Sequence, residues 1–249
     1  MKLGMQGVSI VLASGDSGVA GPAGDGGNLD GCLGTGQIFN PDFPATCPYI
    51  TTVGATYLPP GANVNADAET AVTRFASGGG FSNIYPMPSY QQAAVQAYLT
   101  NSPPPYASYS GTDNSNIGAG GGVYNRAGRG YPDVSAVGDN IIIYNKGMPT
   151  LIGGTSASAP VFASLLNRIN EERIAAGKST VGFVNPTLVS SVPSFCMMKV
   201  LIPWFSMQIL KSCTISQRET IPAATQMDSR RRKAGIQSRG LEHQTILKC

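Results

Sequence analysis

Gly153-Gly154-Thr155-Ser156-Ala157-Ser158-Ala159-Pro160 is the stretch whose neighbours reveal the architecture. Upstream, Ile141 to Tyr144 and Thr150 to Ile152 are β-rich runs joined by Asn145, Lys146 and Gly147, the pattern of a hairpin. Downstream, from Ser158 onward, Val161, Phe162, Leu165, Leu166 and Ile169 recur at three and four, which predicts an amphipathic helix with Gly177 capping its end. The paired glycines permit a tight turn between hairpin and helix, and Pro160 suits a first helical turn. A serine on such a turn exposes its hydroxyl, while the helix directs N–H groups and a positive dipole end at a developing oxyanion. A bare Gly-Thr-Ser triplet would be read as a loop that caps a helix. The full octapeptide, wedged between hairpin and helix, makes Ser156 a candidate nucleophile.

Further upstream, Val8 to Ala13 is a continuous apolar run that stops at Ser14-Gly15-Asp16-Ser17-Gly18, as a buried parallel strand ending in a turn would. Tyr49 to Val53 reads as a second such strand, closed by Gly54. Tyr90 to Leu99 has helical character and must end before Pro103, Pro104 and Pro105. The elements together predict an α/β fold with a mostly parallel sheet flanked by helices. Asp16 ends a strand at the sheet edge where α/β sites gather, and a neutral carboxylic acid there can donate a hydrogen bond to an oxyanion. The plainer role for Asp16 is a turn or helix cap.

A serine nucleophile needs a proton acceptor, and the single histidine, His243, lies far from these motifs in a stretch of different character. A histidine triad is therefore not expected, and a carboxylate base works only under acidic conditions. Glu171 and Glu172 fall about four turns beyond Ser156 on the expected helix, ~20 Å away at 1.5 Å per residue, too far to serve. Glu69 is the other surviving glutamate of the body.

The 249 residues are 42% apolar and only 12% charged, enough for one sizeable domain and too poor in charge for a disordered chain. The 31 glycines and 18 prolines lie between apolar runs without a collagen period, which fits a loop-rich globular fold. The net charge of +3 hides two populations. Residues 1–195 hold eight basic and eleven acidic side chains, whereas 196–249 hold nine and three. The reading is a partial catalytic domain over 1–195 followed by a basic tail, poorly packed or disordered and foreign to the domain. Arg230, Arg231, Arg232 and Lys233 form a solvated run without aromatic interleaving, so no nucleic-acid partner is expected. No stretch approaches a membrane span, and Met1 to Ala13 lacks the cleavage site of a signal peptide. The glycines between Gly15 and Gly27 lack a P-loop lysine or dinucleotide spacing. Cys32 and Cys47 bracket a loop that one disulfide would close; two unpaired buried thiols are the alternative.

Four motifs in order carry a resemblance: Ser14-Gly15-Asp16-Ser17-Gly18-Val19, Ser77-Gly78-Gly79-Gly80-Phe81-Ser82, Gly130-Tyr131-Pro132-Asp133-Val134-Ser135-Ala136, and Gly153 to Pro160. Residues 1–195 resemble the sedolisin family of serine-carboxyl peptidases, particularly its fungal tripeptidyl-peptidase-like members. The resemblance implies an incomplete subtilisin-like fold and a secreted or lysosome-like acid peptidase, expected to be a monomer acting on peptide or protein substrates. It matches Ser156 to the nucleophile and Asp16 to the oxyanion aspartate. Asp133 matches a Pro-Asp motif read as structural. Ser77, Gly78, Gly79 and Gly80 are candidates to offer backbone to an extended substrate, or else a plain flexible loop.

The departures set further expectations. In the family the base is a glutamate paired with an aspartate on one helix, upstream of the segment that resembles this chain's start, so little or no activity is expected of the chain alone. The alternative is a noncatalytic peptide-binding remnant. The family's calcium site belongs to a glycine-rich stretch that the tail replaces here. Glu219, Asp228 and Glu242 do not rebuild its cage of six to eight oxygens, so no calcium site is expected.

Overall fold

The computed structural model describes residues 1–111 and 114–191. The expected tail, 196–249, and the end of the expected 1–195 domain lie outside the described residues. Along the chain come α1 (Lys2–Met5), β1 (Val11–Ala13), β2 (Thr51–Tyr57), β3 (Thr70–Ala71), β4 (Gly80–Pro86), α2 (Gln92–Asn101), β5 (Ser108–Tyr109) and β6 (Tyr124–Asn125). They are followed by β7 (Gly128–Tyr131), β8 (Val134–Val137), β9 (Ile141–Asn145), β10 (Met148–Ile152), α3 (Thr155–Ala175) and α4 (Asn185–Ser191).

The main sheet is built around β2. Val53 pairs with Ala13 of β1 on one edge and Val134 of β8 on the other, both in parallel. Farther along, Thr56 pairs with Ala71 of the short antiparallel β3 and with Val137. Thus β1 and β3 follow one another along the same edge. Thr51 to Thr56 are buried without interruption, as expected for a strand covered on both faces. Gly54 does not close this strand as its sequence suggested. It lies inside β2 because Pro132 and the Ser77 hydroxyl come close enough to leave little room for a side chain.

Two sequence expectations are corrected at the other elements. Only Val11–Ala13 of the Val8–Ala13 run is strand, and it is half-buried, with Val8 and Ile10 exposed. A strand paired on one side only keeps an open edge, here protected by its length of three residues. The long helix starts at Thr155, three residues before the expected Ser158, and Pro160 is its sixth residue. Its apolar stripe is split: Val161, Leu165 and Ile169 are exposed and Phe162 is half-buried, while Leu166 is buried with Ala157, Ser158 and Ala159. The small residues Ala157 to Ala159 let α3 lie close across β1, β2 and β8. The C-terminus is as the sequence suggested: Gly177, at φ 71°, donates its N–H to Ile174 and Lys178 donates to Arg173, closing the helix by the two bonds of a Schellman turn. The hairpin also forms, with Ile141–Asn145 against Met148–Ile152 around Lys146-Gly147.

A second packing centre joins Val19, Ala20, Cys32, Phe39, Phe81, Tyr98 and Tyr124, with α2 contributing Val95 and Leu99. Its rings meet at centroid separations of 5.7 Å for Phe81 and Tyr124 and 5.6 Å for Phe39 and Tyr106. Such aromatic contacts are worth about 0.5–1.5 kcal/mol each beyond their buried area. Cys47 carries a free thiol and the wholly buried Cys32 is disulfide-bonded, so no Cys32–Cys47 bridge closes the loop between them.

Arg129 and Asp133 form an ion pair at 2.6 Å, both side chains fully withdrawn from solvent. Asp133 also accepts from the Thr52 N–H at 2.8 Å and from the Gln91 amide at 3.1 Å, which ties β2, β7 and the start of α2 to one carboxylate. Burial pushes the Asp133 carboxyl above its ordinary value, against the pull of Arg129 and the Thr52 N–H. This agrees with the structural role read for Asp133 from its motif. Arg129→Met leaves that carboxylate buried without its cation and is expected to lower the unfolding free energy by about 3–5 kcal/mol. Arg168→Met, which loses only exposed pairs with Glu171 and Glu172, should cost about 0–1 kcal/mol. Urea unfolding of the two variants compares them directly, and equal losses would contradict the assignment.

Candidate active site

Hairpin, turn and helix meet where the octapeptide runs. Gly154 adopts φ 144° and ψ 155°, a conformation only glycine takes easily, and its N–H donates to the Gly138 carbonyl at 2.8 Å. Gly153 lies flush against the ion pair of Arg74 with Asp139, so closely that a Cβ would fall on the guanidinium. Arg74 Nε donates to Asp139 at 2.8 Å, and the Asp139 carboxyl is held below its ordinary value by that bond. With the turn fixed from two sides, Ser156 becomes the second residue of α3 and is exposed. Among the described residues neither its hydroxyl nor its N–H is taken by a hydrogen bond. That N–H belongs to the first helical turn, where the dipole favours a negative partner.

Asp16 arrives from the end of β1. Its Oδ1 accepts the Thr155 N–H at 2.8 Å and the Thr155 hydroxyl at 2.9 Å. The same hydroxyl accepts the Gly15 N–H at 3.1 Å. Asp16 therefore caps the helix that carries Ser156, and the two residues line one cleft of about 360 Å³ with Leu12, Phe43 and Pro44. The structure thus brings the two expected catalytic residues together, and the cap read as the plainer role for Asp16 is the means of doing so.

Asp42 escaped the sequence reading. It lines the same cleft, its N–H donates to the Tyr131 hydroxyl at 3.1 Å, and a Cβ on Gly15 would fall on its Oδ2. Burial raises its carboxyl from 3.8 to about 6, helped by the charges of Asp25 and Asp16. The only local signal was an acid between Pro41 and Pro44, and nothing in it points to Gly15.

Other candidates fall elsewhere. Ser77, Gly78, Gly79 and Gly80 are buried rather than displayed, which corrects the expectation of an open edge or a flexible loop. The Ser77 hydroxyl accepts the Ala55 N–H at 2.9 Å, the Gly78 N–H goes to Gly15, and the Gly79 N–H goes to Gly18 at 3.1 Å. Glu69 accepts the Thr56 hydroxyl, and Glu171 and Glu172 pair with Arg168 on the exposed side of α3. His243 lies outside the described residues, as do Glu219, Asp228 and Glu242. Among the described residues no group of three or more His, Cys, Asp or Glu side chains lies close enough to hold a metal ion.

No family model matches the chain. Among characterised proteins it is 65% identical over 189 residues to tripeptidyl-peptidase sed1 of Aspergillus fumigatus and 56% identical over 194 residues to aorsin of Aspergillus oryzae. It is 38% identical over 192 residues to human tripeptidyl-peptidase 1. Each match covers 76% of this chain and 29% of the relative. The structure superposes on Pseudomonas sedolisin, a serine-carboxyl proteinase solved with two molecules of pseudo-iodotyrostatin, with a TM-score of 0.51 at 25% identity. That superposition spans 77% of this chain and 45% of the other. The fold is thus the subtilisin-like α/β fold. Within it the chain belongs to the sedolisin family and is tripeptidyl-peptidase-like, spanning less than a third of the relatives' length.

The Asp42 carboxyl gives stability a definite pH dependence. A folded-state value above the unfolded 3.8 means that the folded chain binds the proton more tightly. Its contribution is complete below pH 3.8 and is lost as pH rises through about 6. Asp42→Asn should flatten that fall in melting temperature between those limits, and an unchanged pH profile would show that the carboxyl is not perturbed.

Proposed function

We propose that the chain supplies the nucleophile and oxyanion side of a serine-carboxyl peptidase site that hydrolyses peptide bonds at acidic pH. The observation that carries this reading is the cleft in which an exposed Ser156 on a helix N-terminus sits with Asp16 tethered to the same turn. In this reading the Ser156 Oγ bonds to the scissile carbonyl carbon, and the carbonyl electron pair moves to oxygen. The serine proton passes to a base, which returns it to the departing amine, and water then releases the acyl group. The Ser156 N–H and a protonated Asp16 donate to the oxyanion.

In this reading the base is the glutamate of the Glu and Asp pair that the resemblance implies, and not the Asp42 carboxyl of the same cleft. The support is the resemblance, which puts that Glu and Asp pair on one helix upstream of the segment similar to residues 1–18. The chain alone should then turn over slowly, because loss of the base of a serine nucleophile costs orders of magnitude. A peptide or protein substrate and a secreted parent protein go with the same reading. Among the described residues no helix is long and apolar enough to cross a membrane. A noncatalytic remnant gripping peptides through Ser77 to Gly80 finds no support, since those residues are buried and the Gly78 and Gly79 N–H groups are already engaged by the protein's own backbone.

A serine-directed phosphonylating reagent should label Ser156 slowly at acidic pH, mass spectrometry should place the label there, and Ser156→Ala should abolish it. Absence of label at every pH, or equal labelling of the alanine variant, would overturn the proposal.

A further inference from the structure

Thr155 stands beside Ser156, is almost wholly buried, and takes no part in bond making. Its hydroxyl has one proton and two acceptors in reach, the Asp16 Oδ1 at 2.9 Å and the Gly15 carbonyl at 3.1 Å. The carboxylate oxygen is nearer and charged, and charge-assisted bonds are the stronger ones. Both donors of Thr155 therefore converge on Oδ1, while the Gly15 N–H fills the acceptor side of the hydroxyl. No hydrogen bond among the described residues reaches Oδ2. A Cβ added at Gly154, on the turn leading into Ser156, would stand 2.9 Å from that oxygen.

The consequence concerns where a proton resides. An oxygen that already accepts two donors is a poor site for a third hydrogen, so a proton taken up by Asp16 goes to Oδ2. We infer that Thr155 is a positioning residue that reserves Oδ1 as acceptor and leaves Oδ2 as the oxygen of Asp16 that donates to the substrate oxyanion. The inference rests on the proposed nucleophile and oxyanion roles and adds a part that the Gly-Thr-Ser triplet does not itself reveal. Without the hydroxyl, the carboxyl loses one of the two bonds that fix its rotation, and Oδ1 and Oδ2 become interchangeable. The geometry has a second corollary. In Asp16→Asn the amide oxygen takes the Oδ1 place opposite the Thr155 donors, and the NH₂ group faces the turn as a donor at every pH.

The test compares a peptide aldehyde, which forms a tetrahedral adduct with a serine hydroxyl, with the same peptide ending in a primary alcohol, which does not. Affinities for the full chain are measured by calorimetry from acidic to neutral pH. The wild-type chain should prefer the aldehyde, most strongly at acidic pH, and the same comparison in Asp42→Asn removes the other carboxyl of the cleft from the profile. Thr155→Val should reduce that preference by roughly 10- to 100-fold with little change in alcohol affinity, and Thr155→Ser should restore it. Asp16→Asn should carry the preference into neutral pH, which keeps the inference open to refutation even if the valine variant fails to fold. A wild-type preference retained by Thr155→Val, or an Asp16→Asn variant that loses the preference at all pH values, overturns the role of Thr155 alone. A wild-type chain that never distinguishes aldehyde from alcohol removes the nucleophile reading, and this inference with it.

Discussion

The carboxylate of Asp16 and the two donors of Thr155 come from positions 139 residues apart, and their contact holds the site together. A strand end and a helix start each leave backbone groups unsatisfied, and here each answers the need of the other. Thr155 gives its N–H to the carboxylate, Gly15 gives its N–H to the Thr155 hydroxyl, and the helix gains a cap from a distant segment instead of a neighbouring residue. That explains why α3 begins earlier than its apolar periodicity suggests.

Around this contact the backbone is packed more tightly than side chains would allow. Gly78 crosses so near Ser14 that a Cβ would overlap its carbonyl, Gly153 is pressed against Arg74 and Asp139, and Gly15 leaves the space that Asp42 fills. The turn residues of three of the four motifs are thus held by hydrogen bonds and close approach, with the apolar core set apart around Phe39, Phe81 and Tyr124. The buried Arg129 and Asp133 pair anchors the start of β2 through Ile50 and Thr52, beside the residues that pair with β1.

The hairpin, α2, α3 and the parallel pairing could be anticipated because each rests on local periodicity or a local turn. The nearness of Ser156 and Asp16 could be anticipated because strand ends and helix starts collect at one edge of such sheets. Asp42 could not, since its place depends on an absent side chain 27 residues earlier in the chain. Nor could the burial of Ser77 to Gly80, where glycine signals close approach without saying what approaches: here it is the protein's own backbone. The stripe Val161, Leu165 and Ile169 was readable as apolar, but periodicity does not say which side of a helix the sheet will choose. The sheet chose the side with Ala157, Ser158 and Ala159 because small residues permit the closer contact.

Pro160, sitting inside α3, has no N–H to offer the carbonyl of Ser156 four residues before it. One rung is therefore missing from the ladder at the residue whose side chain stands open to the cleft. The acceptor half of the peptide plane after that serine lacks its helical partner, while the donor half, the Ala157 N–H, stays bound to the Gly154 carbonyl at 2.9 Å. The helix is thus held on its donor side and left open on its acceptor side at the one exposed residue of its first turn that lines the cleft.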